Sequence, residues 1–186
     1  MLKKTFRCAQ GIADVSLWFV MRGASGALID KSVEARNPAI EGGVRVVEHE
    51  DSACARVEAL QQELERIAKI NAACGTTATV FILTRNRQEK HLPEGLTPAV
   101  FDDLTERFVP RGLVVLHQSL HGSKGLGADY VVIAGLDAGT GGYPRDRVQE
   151  PLLELLLPAQ KSQNEEERRL FYVGLTRAKR EVTLED

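Results

Sequence analysis

Apolar positions recur along the chain in two alternating rhythms. Between residues 10 and 22, Ile12, Val15, Ser16, Phe19 and Val20 fall at helical spacing, which predicts a first helix. Gly23, Gly26, Asn37-Pro38 and Gly42-Gly43 then punctuate an irregular stretch, and residues 44–47 read as a short strand. Asp51 or Ser52 is placed to cap a long helix running to about Cys74, with Val57, Leu60, Leu64, Ile67 and Ile70 on one stripe. Glu63, Glu65, Arg66 and Lys69 fill its other side, the pattern of a solvated face. Gly75 is the expected stop.

Residues 78–83 (ATVFIL) form a continuous apolar run, as a strand buried on both faces requires. Residues 98–108 suit a short helix, 113–116 and 130–134 two further buried strands, 164–177 a Glu-rich helix, and 182–184 a last strand. Strands alternating with helices imply an α/β fold, a parallel sheet with helices on both sides. One domain is expected over residues 1–186, with no internal repeat and no low-complexity tract.

Composition narrows the picture. Apolar residues make up 43% and charged residues 27%, a balance suited to a packed core. The net charge of −2 provides no global basic field, so any nucleic-acid contact must come from a local patch. Cys8, Cys54 and Cys74 form no CxxC pair; buried reduced thiols are expected rather than disulfides or a metal site. Apolar runs are far too short for a membrane helix, and the two early lysines precede no apolar stretch, so a cytoplasmic protein is expected.

Two segments carry candidate chemistry. Residues 119–135 read SLHGSKGLGADYVVIAG. Glycines let backbone approach a ligand closely, and Ser119, His121 and Lys124 supply donors suited to phosphate or sugar. The glycines match neither dinucleotide nor P-loop spacing, and a bare Gly-rich loop is equally a structural turn. Residues 165–179 read EEERRLFYVGLTRAK. Glu165 reaches Arg168 and Arg169 at helical neighbour spacing. Arg177 emerges one turn after Leu170 and Val173, where it serves either chemistry or the helix dipole.

Together these segments resemble a known family. HGSKGLGADYVVIAG resembles motif V of the UvrD/Rep/PcrA helicases (T-x-H-x-x-K-G-L-E-x-x-x-V), and EEERRLFYVGLTRAK their motif VI (E-E-R-R-L-x-Y-V-x-x-T-R-A). TFRCAQGIADVSLWFV resembles motif IV, and VFILTRNRQ the strand and turn after it. Order and spacing agree over most of the chain, and GLGADYVVIAGL with Gly142-Tyr143-Pro144 looks closest to the helicase IV-like branch.

The resemblance implies the second RecA-like (P-loop NTPase-like) motor domain of an ATP-dependent DNA helicase. By this likeness Arg7 and Arg177 stand where the family sets arginines against the γ-phosphate. Phe6 replaces a tyrosine that stacks on adenine, a core phenylalanine being the rival reading, and Gly125 lies where loop backbone approaches nucleotide. Ser119, His121 and Lys124 stand where the family touches single-stranded DNA, with Arg85 a further DNA contact. Gly127 takes the place of the motif V glutamate, so ribose recognition through a carboxylate is not expected.

ATP with Mg²⁺ is expected to be held mainly by an N-terminal RecA-like domain of the same protein, because no Walker A loop occurs in these residues; this chain alone is expected not to hydrolyse ATP. Arg7 and Arg177 are expected on one rim of the sheet, the rim where open α/β sheets bind ligands. Residues 86–113, where relatives carry a large accessory insertion, are too few to hold one. The alternative is a non-catalytic adaptor or DNA-binding domain that keeps the motor fold.

Overall fold

A computed structural model describes residues 4–5, 7–21, 34–35, 42–136 and 161–185. Its elements are β1 (Lys4–Thr5), α1 (Gln10–Met21), β2 (Glu34–Ala35), β3 (Val44–Val47), α2 (Ala53–Cys74), β4 (Ala78–Thr84), α3 (Pro98–Phe108), β5 (Leu113–Ser119), β6 (Ala128–Ile133), α4 (Lys161–Leu175) and β7 (Ala178–Glu185). Five strands form one sheet, all neighbours parallel, in the order β3-β7-β6-β4-β5. The short β1 and β2 pair separately. Residues 86–112, described throughout, hold only α3, two 3-10 turns and connecting loops.

Side-chain alternation sorts the sheet into two cores. Phe81 and Leu83 of β4 and Val131 and Ile133 of β6 pack with Ile12 of α1 and Leu170, Phe171 and Leu175 of α4. Val80, Ile82, Tyr130 and Val132 point the other way, onto Leu60, Leu64 and Ile67 of α2 and Phe101, Leu104 and Phe108 of α3. Strands covered on both faces must be apolar at every position, which is why 78–83 reads as an unbroken hydrophobic run.

The helix ends follow from single residues. The Ser52 hydroxyl accepts from the Ala55 N–H at 3.2 Å, and Gly75 closes α2 at φ 66°, a left-handed conformation that glycine adopts without a Cβ clash. Thr97 caps α3 by accepting from the Val100 N–H at 3.3 Å, with Pro98 opening the helix.

Four expectations need correction. Val114 and Leu116, expected in a buried strand, are exposed, because β5 is the edge of the sheet and only its Leu113 and Val115 side is packed against α3. Glu63, read as part of a solvated face, is 5% exposed. It accepts from Arg66 and from the Thr183 hydroxyl at 2.5 Å, so α2 meets a polar face of β7 where a surface was expected. Ile70, placed on the buried stripe, is exposed, while Asn71 is buried and donates to the Thr76 carbonyl. Of the cysteines only Cys8 is buried; Cys54 and Cys74 are exposed, and all three are free thiols.

Candidate functional site

Arg177 follows α4 and immediately precedes β7. Its guanidinium is 6% exposed and is held by main-chain acceptors: Nε donates to the Val173 carbonyl at 2.8 Å and Nη1 to the Leu126 carbonyl at 3.1 Å. Nη2 has no protein partner among the described residues. Burial, and then the positive charge of Arg7, pull the Arg177 pKa below its ordinary value. Two arginines 170 positions apart are thus brought close enough to repel. Arg7 is exposed, and its backbone is anchored near β7, since the Ala9 N–H two residues on donates to the Lys179 carbonyl at 2.9 Å.

The rim on which they meet differs from the expected one. The Arg177 carbonyl accepts from the N–H of Ala128, the first residue of β6, at 3.0 Å. Both arginines therefore lie at the amino ends of β6 and β7, opposite the carboxyl ends where open α/β sheets usually bind ligands. The reason is local: motif VI ends α4 at the start of β7, and the last turn of a helix feeding a parallel strand must sit at that strand's amino end.

Ser119 ends β5 at the other rim, in register with Thr84. Residues 120–127 then carry the chain from the carboxyl end of β5 to the amino end of β6, which lies across β4. This crossing segment is internally tied. The Ser123 N–H donates to the Ser119 carbonyl at 2.9 Å, that of Lys124 to His121 at 3.2 Å and that of Leu126 to Ser123 at 3.0 Å. The Ser119 hydroxyl accepts from Gly122 at 3.0 Å, and the buried Ser123 hydroxyl donates to the Leu120 carbonyl at 2.7 Å. Gly125 turns the segment at φ 89° with open space where a Cβ would lie. Leu120, fully buried, packs on α4 opposite Gly174, where a Cβ would come within 2.5 Å of its Cδ2.

Ser119 and His121 thus share the carboxyl rim, while the far end of the same loop binds Arg177 through Leu126. The Lys124 side chain is exposed and has no ion-pair partner among the described residues. Phe6 lies outside the described residues.

Arg85, expected to reach DNA, is turned inward and only 8% exposed. Its Nη2 and Nε donate to the two carboxylate oxygens of Glu167 at 2.6 and 3.1 Å. Its Nη1 lies 3.4 Å from Nδ1 of His121. A guanidinium only donates, so Nδ1 must be the acceptor and the ring proton sits on Nε2. The exposed imidazole therefore turns a defined N–H donor toward an outside acceptor. Glu167 was legible only as one of three glutamates in a row; nothing local distinguishes the one that faces inward.

The UvrD-like helicase C-terminal domain family matches residues 113–185, which hold both the crossing loop and the Arg177 helix. The chain is similar to DNA helicase IV of Escherichia coli (strain K12), 47% identical over 66 residues, 34% of this chain and 10% of that protein. The chain thus spans about a tenth of the curated relative it matches. A crystal structure of the C-terminal domain of a possible DNA helicase from Lactobacillus plantarum WCFS1 aligns over 97% of this chain and 86% of its own, at 17% identity and a TM-score of 0.44. From β5 to the end of β7, this chain is thus similar to the UvrD-like helicase C-terminal domain family.

Proposed function

We propose that this chain is the second motor domain of an ATP-dependent DNA helicase or translocase, reaching ATP on a partner RecA-like domain from its amino rim and single-stranded DNA from its carboxyl rim. The observation that carries the reading is the loop at residues 120–127. It ties Ser119 and His121 at one rim to Arg177 at the other through the Leu126 carbonyl. A change in grip at either end is thereby felt at the other, the coupling a motor requires.

The amino rim fits a phosphate-bearing ligand. Arg177 is pre-oriented by two carbonyls and keeps Nη2 for an outside oxygen, and Arg7 adds a second cation beside it. Two guanidiniums neutralise charge on a transferring phosphoryl group, a contribution of about 10³–10⁵ in rate where such fingers operate. Bound ATP supplies that phosphoryl group, and its Mg²⁺ belongs with the partner domain in this reading. Gly125 offers unhindered backbone to the nucleotide, and Phe6 is carried as an adenine-stacking residue. At the carboxyl rim the Ser119 hydroxyl and the His121 Nε2–H, and further along the loop the exposed Lys124 ammonium, are donors for phosphates and sugars. Arg85, paired with Glu167, orients His121 and does not itself touch DNA in this arrangement.

The test is steady-state ATPase of the two-domain motor carrying Arg177→Ala. Turnover should fall by about 10³ or more while ATP binding stays within several-fold, because the finger acts mainly on the transition state. Near-normal turnover would remove the Arg177 rim from the mechanism.

A further inference from the structure

Beside the carboxyl rim lies a pocket to which the motifs assign no role. It is a cavity of about 370 Å³ between α3 and β5, lined by Arg87, Leu92, Phe101, Asp102, His117 and Gln118 among others. That volume is within the ~300–1,000 Å³ range of small-molecule sites. Its wall holds an aromatic plate: the rings of Phe101 and His117 stack with centroids 3.8 Å apart and planes at 12°. The plate is rigidly set. Thr84 spends its hydroxyl proton on the Asn86 carbonyl at 2.5 Å, so it must accept from His117 Nε2 at 2.8 Å, which leaves Nδ1 as an acceptor. Burial and the charge of Arg87 hold the His117 pKa down at about 4, so the ring is neutral at physiological pH.

The pocket also borders open backbone. β5 is an edge strand with no neighbour on its outer side among the described residues. Two bonds fix which residues face β4: the Leu120 N–H donates to the Thr84 carbonyl, and the Gly112 carbonyl accepts from Ala78. Backbone groups alternate along a strand, so odd-numbered positions face outward. The Val115 carbonyl does so and lies 3.2 Å from the Thr105 hydroxyl, which it shares with the nearer Phe101 carbonyl at 2.8 Å. The next outward N–H and C=O belong to His117, at the pocket. Ser119 is two residues further on, on the same side of the strand by alternation.

We propose that this pocket receives one base of the single strand held by Ser119 and His121, the base stacking at the Phe101–His117 plate with its polar edge on the His117 backbone and the Arg87, Asp102 and Gln118 side chains. The inference rests on the DNA reading above and adds a base contact to a rim otherwise suited only to phosphate and sugar. An aromatic face with flexible polar neighbours favours any base over none, without strong sequence preference.

Binding of the 186-residue chain to a short fluorescein-labelled oligodeoxythymidylate, and to the same oligonucleotide carrying one abasic position at each site in turn, tests it at low salt. One abasic position should weaken binding by about tenfold, the scale of one lost stacking contact. His117→Ala should weaken the intact oligonucleotide by a similar factor and leave the best abasic one unchanged, and His117→Phe should restore the difference. Ser119→Ala should weaken intact and abasic strands equally. If intact and abasic strands bind equally well, the pocket takes no base and is overturned while the strand reading stands. If neither binds, the strand reading falls and the pocket falls with it. Because the decisive change is in the DNA, the result does not depend on any variant folding.

Discussion

Arg85 and Glu167, 82 positions apart, meet in a two-pronged ion pair that joins the end of β4 to helix α4, with both side chains 8% exposed. Breaking a buried pair from one side strands a charge, at a cost of about 3–5 kcal/mol. Arg85→Met or Glu167→Leu alone should therefore destabilise the chain strongly, and the double substitution should recover much of the loss. Urea unfolding of the three variants measures this. A single substitution costing under ~1 kcal/mol would mean that water screens the pair.

The same pair governs His121. With Arg85 donating to Nδ1, the imidazole offers Nε2–H outward. In the two-domain motor, His121→Ala should lower DNA-stimulated ATPase more than basal ATPase. Assays with and without oligonucleotide decide it; equal losses would assign His121 to nucleotide chemistry or folding. Arg85→Met should produce the same selective loss at reduced size, because it frees the ring without removing it.

Gly174 makes room for the crossing loop. A Cβ there would lie 2.5 Å from Leu120 Cδ2 and 3.3 Å from Ile133 Cδ1, both in fully packed surroundings. Alanine is the better helix former by about 1 kcal/mol, yet overpacking costs about 1–3 kcal/mol. Gly174→Ala should lower Tm by a few degrees. A gain in Tm would show that Leu120 repacks freely and that the loop is not pinned against α4.

His117 ties stability to pH. Its folded pKa, about 4, lies below the ordinary histidine value of about 6.5. Between these values the unfolded chain binds the extra proton. The contribution is therefore complete above pH ~6.5, declines as pH falls, and is gone below about pH 4. Allowing for the ring's partial exposure, about 2 kcal/mol is at stake. Relative to His117→Phe, the unmodified chain should lose stability on acidification from pH 7 to 4.5. Parallel pH profiles for the two would place the ring in water.

Much of this fold is readable from local pattern. The apolar run at 78–83, the cap at Ser52, the stop at Gly75 and the limits of α3 each depend on residues adjacent in the chain, and each stands where the pattern puts it; the run at 113–116 forms its strand but leaves Val114 and Leu116 exposed at the sheet edge. Motif spacing likewise singles out Arg177 and the loop at 120–127, because a helix end feeding a strand and a glycine-rich turn leave local marks. What the tertiary structure alone decides is which polar residues turn inward and which rim each candidate occupies. Glu63 and Glu167 sit among other charged residues on their helices, and only strands or loops more than 80 positions away determine that they are buried. His117 joins the aromatic plate because β5 is placed beside α3, a relationship no short window of sequence contains. Arg7 and Arg177 meet at the amino ends of β6 and β7 because strand order sets which loop ends share a rim. Local propensity is a property of neighbours in sequence; burial, ion pairing and rim geometry are properties of neighbours in space.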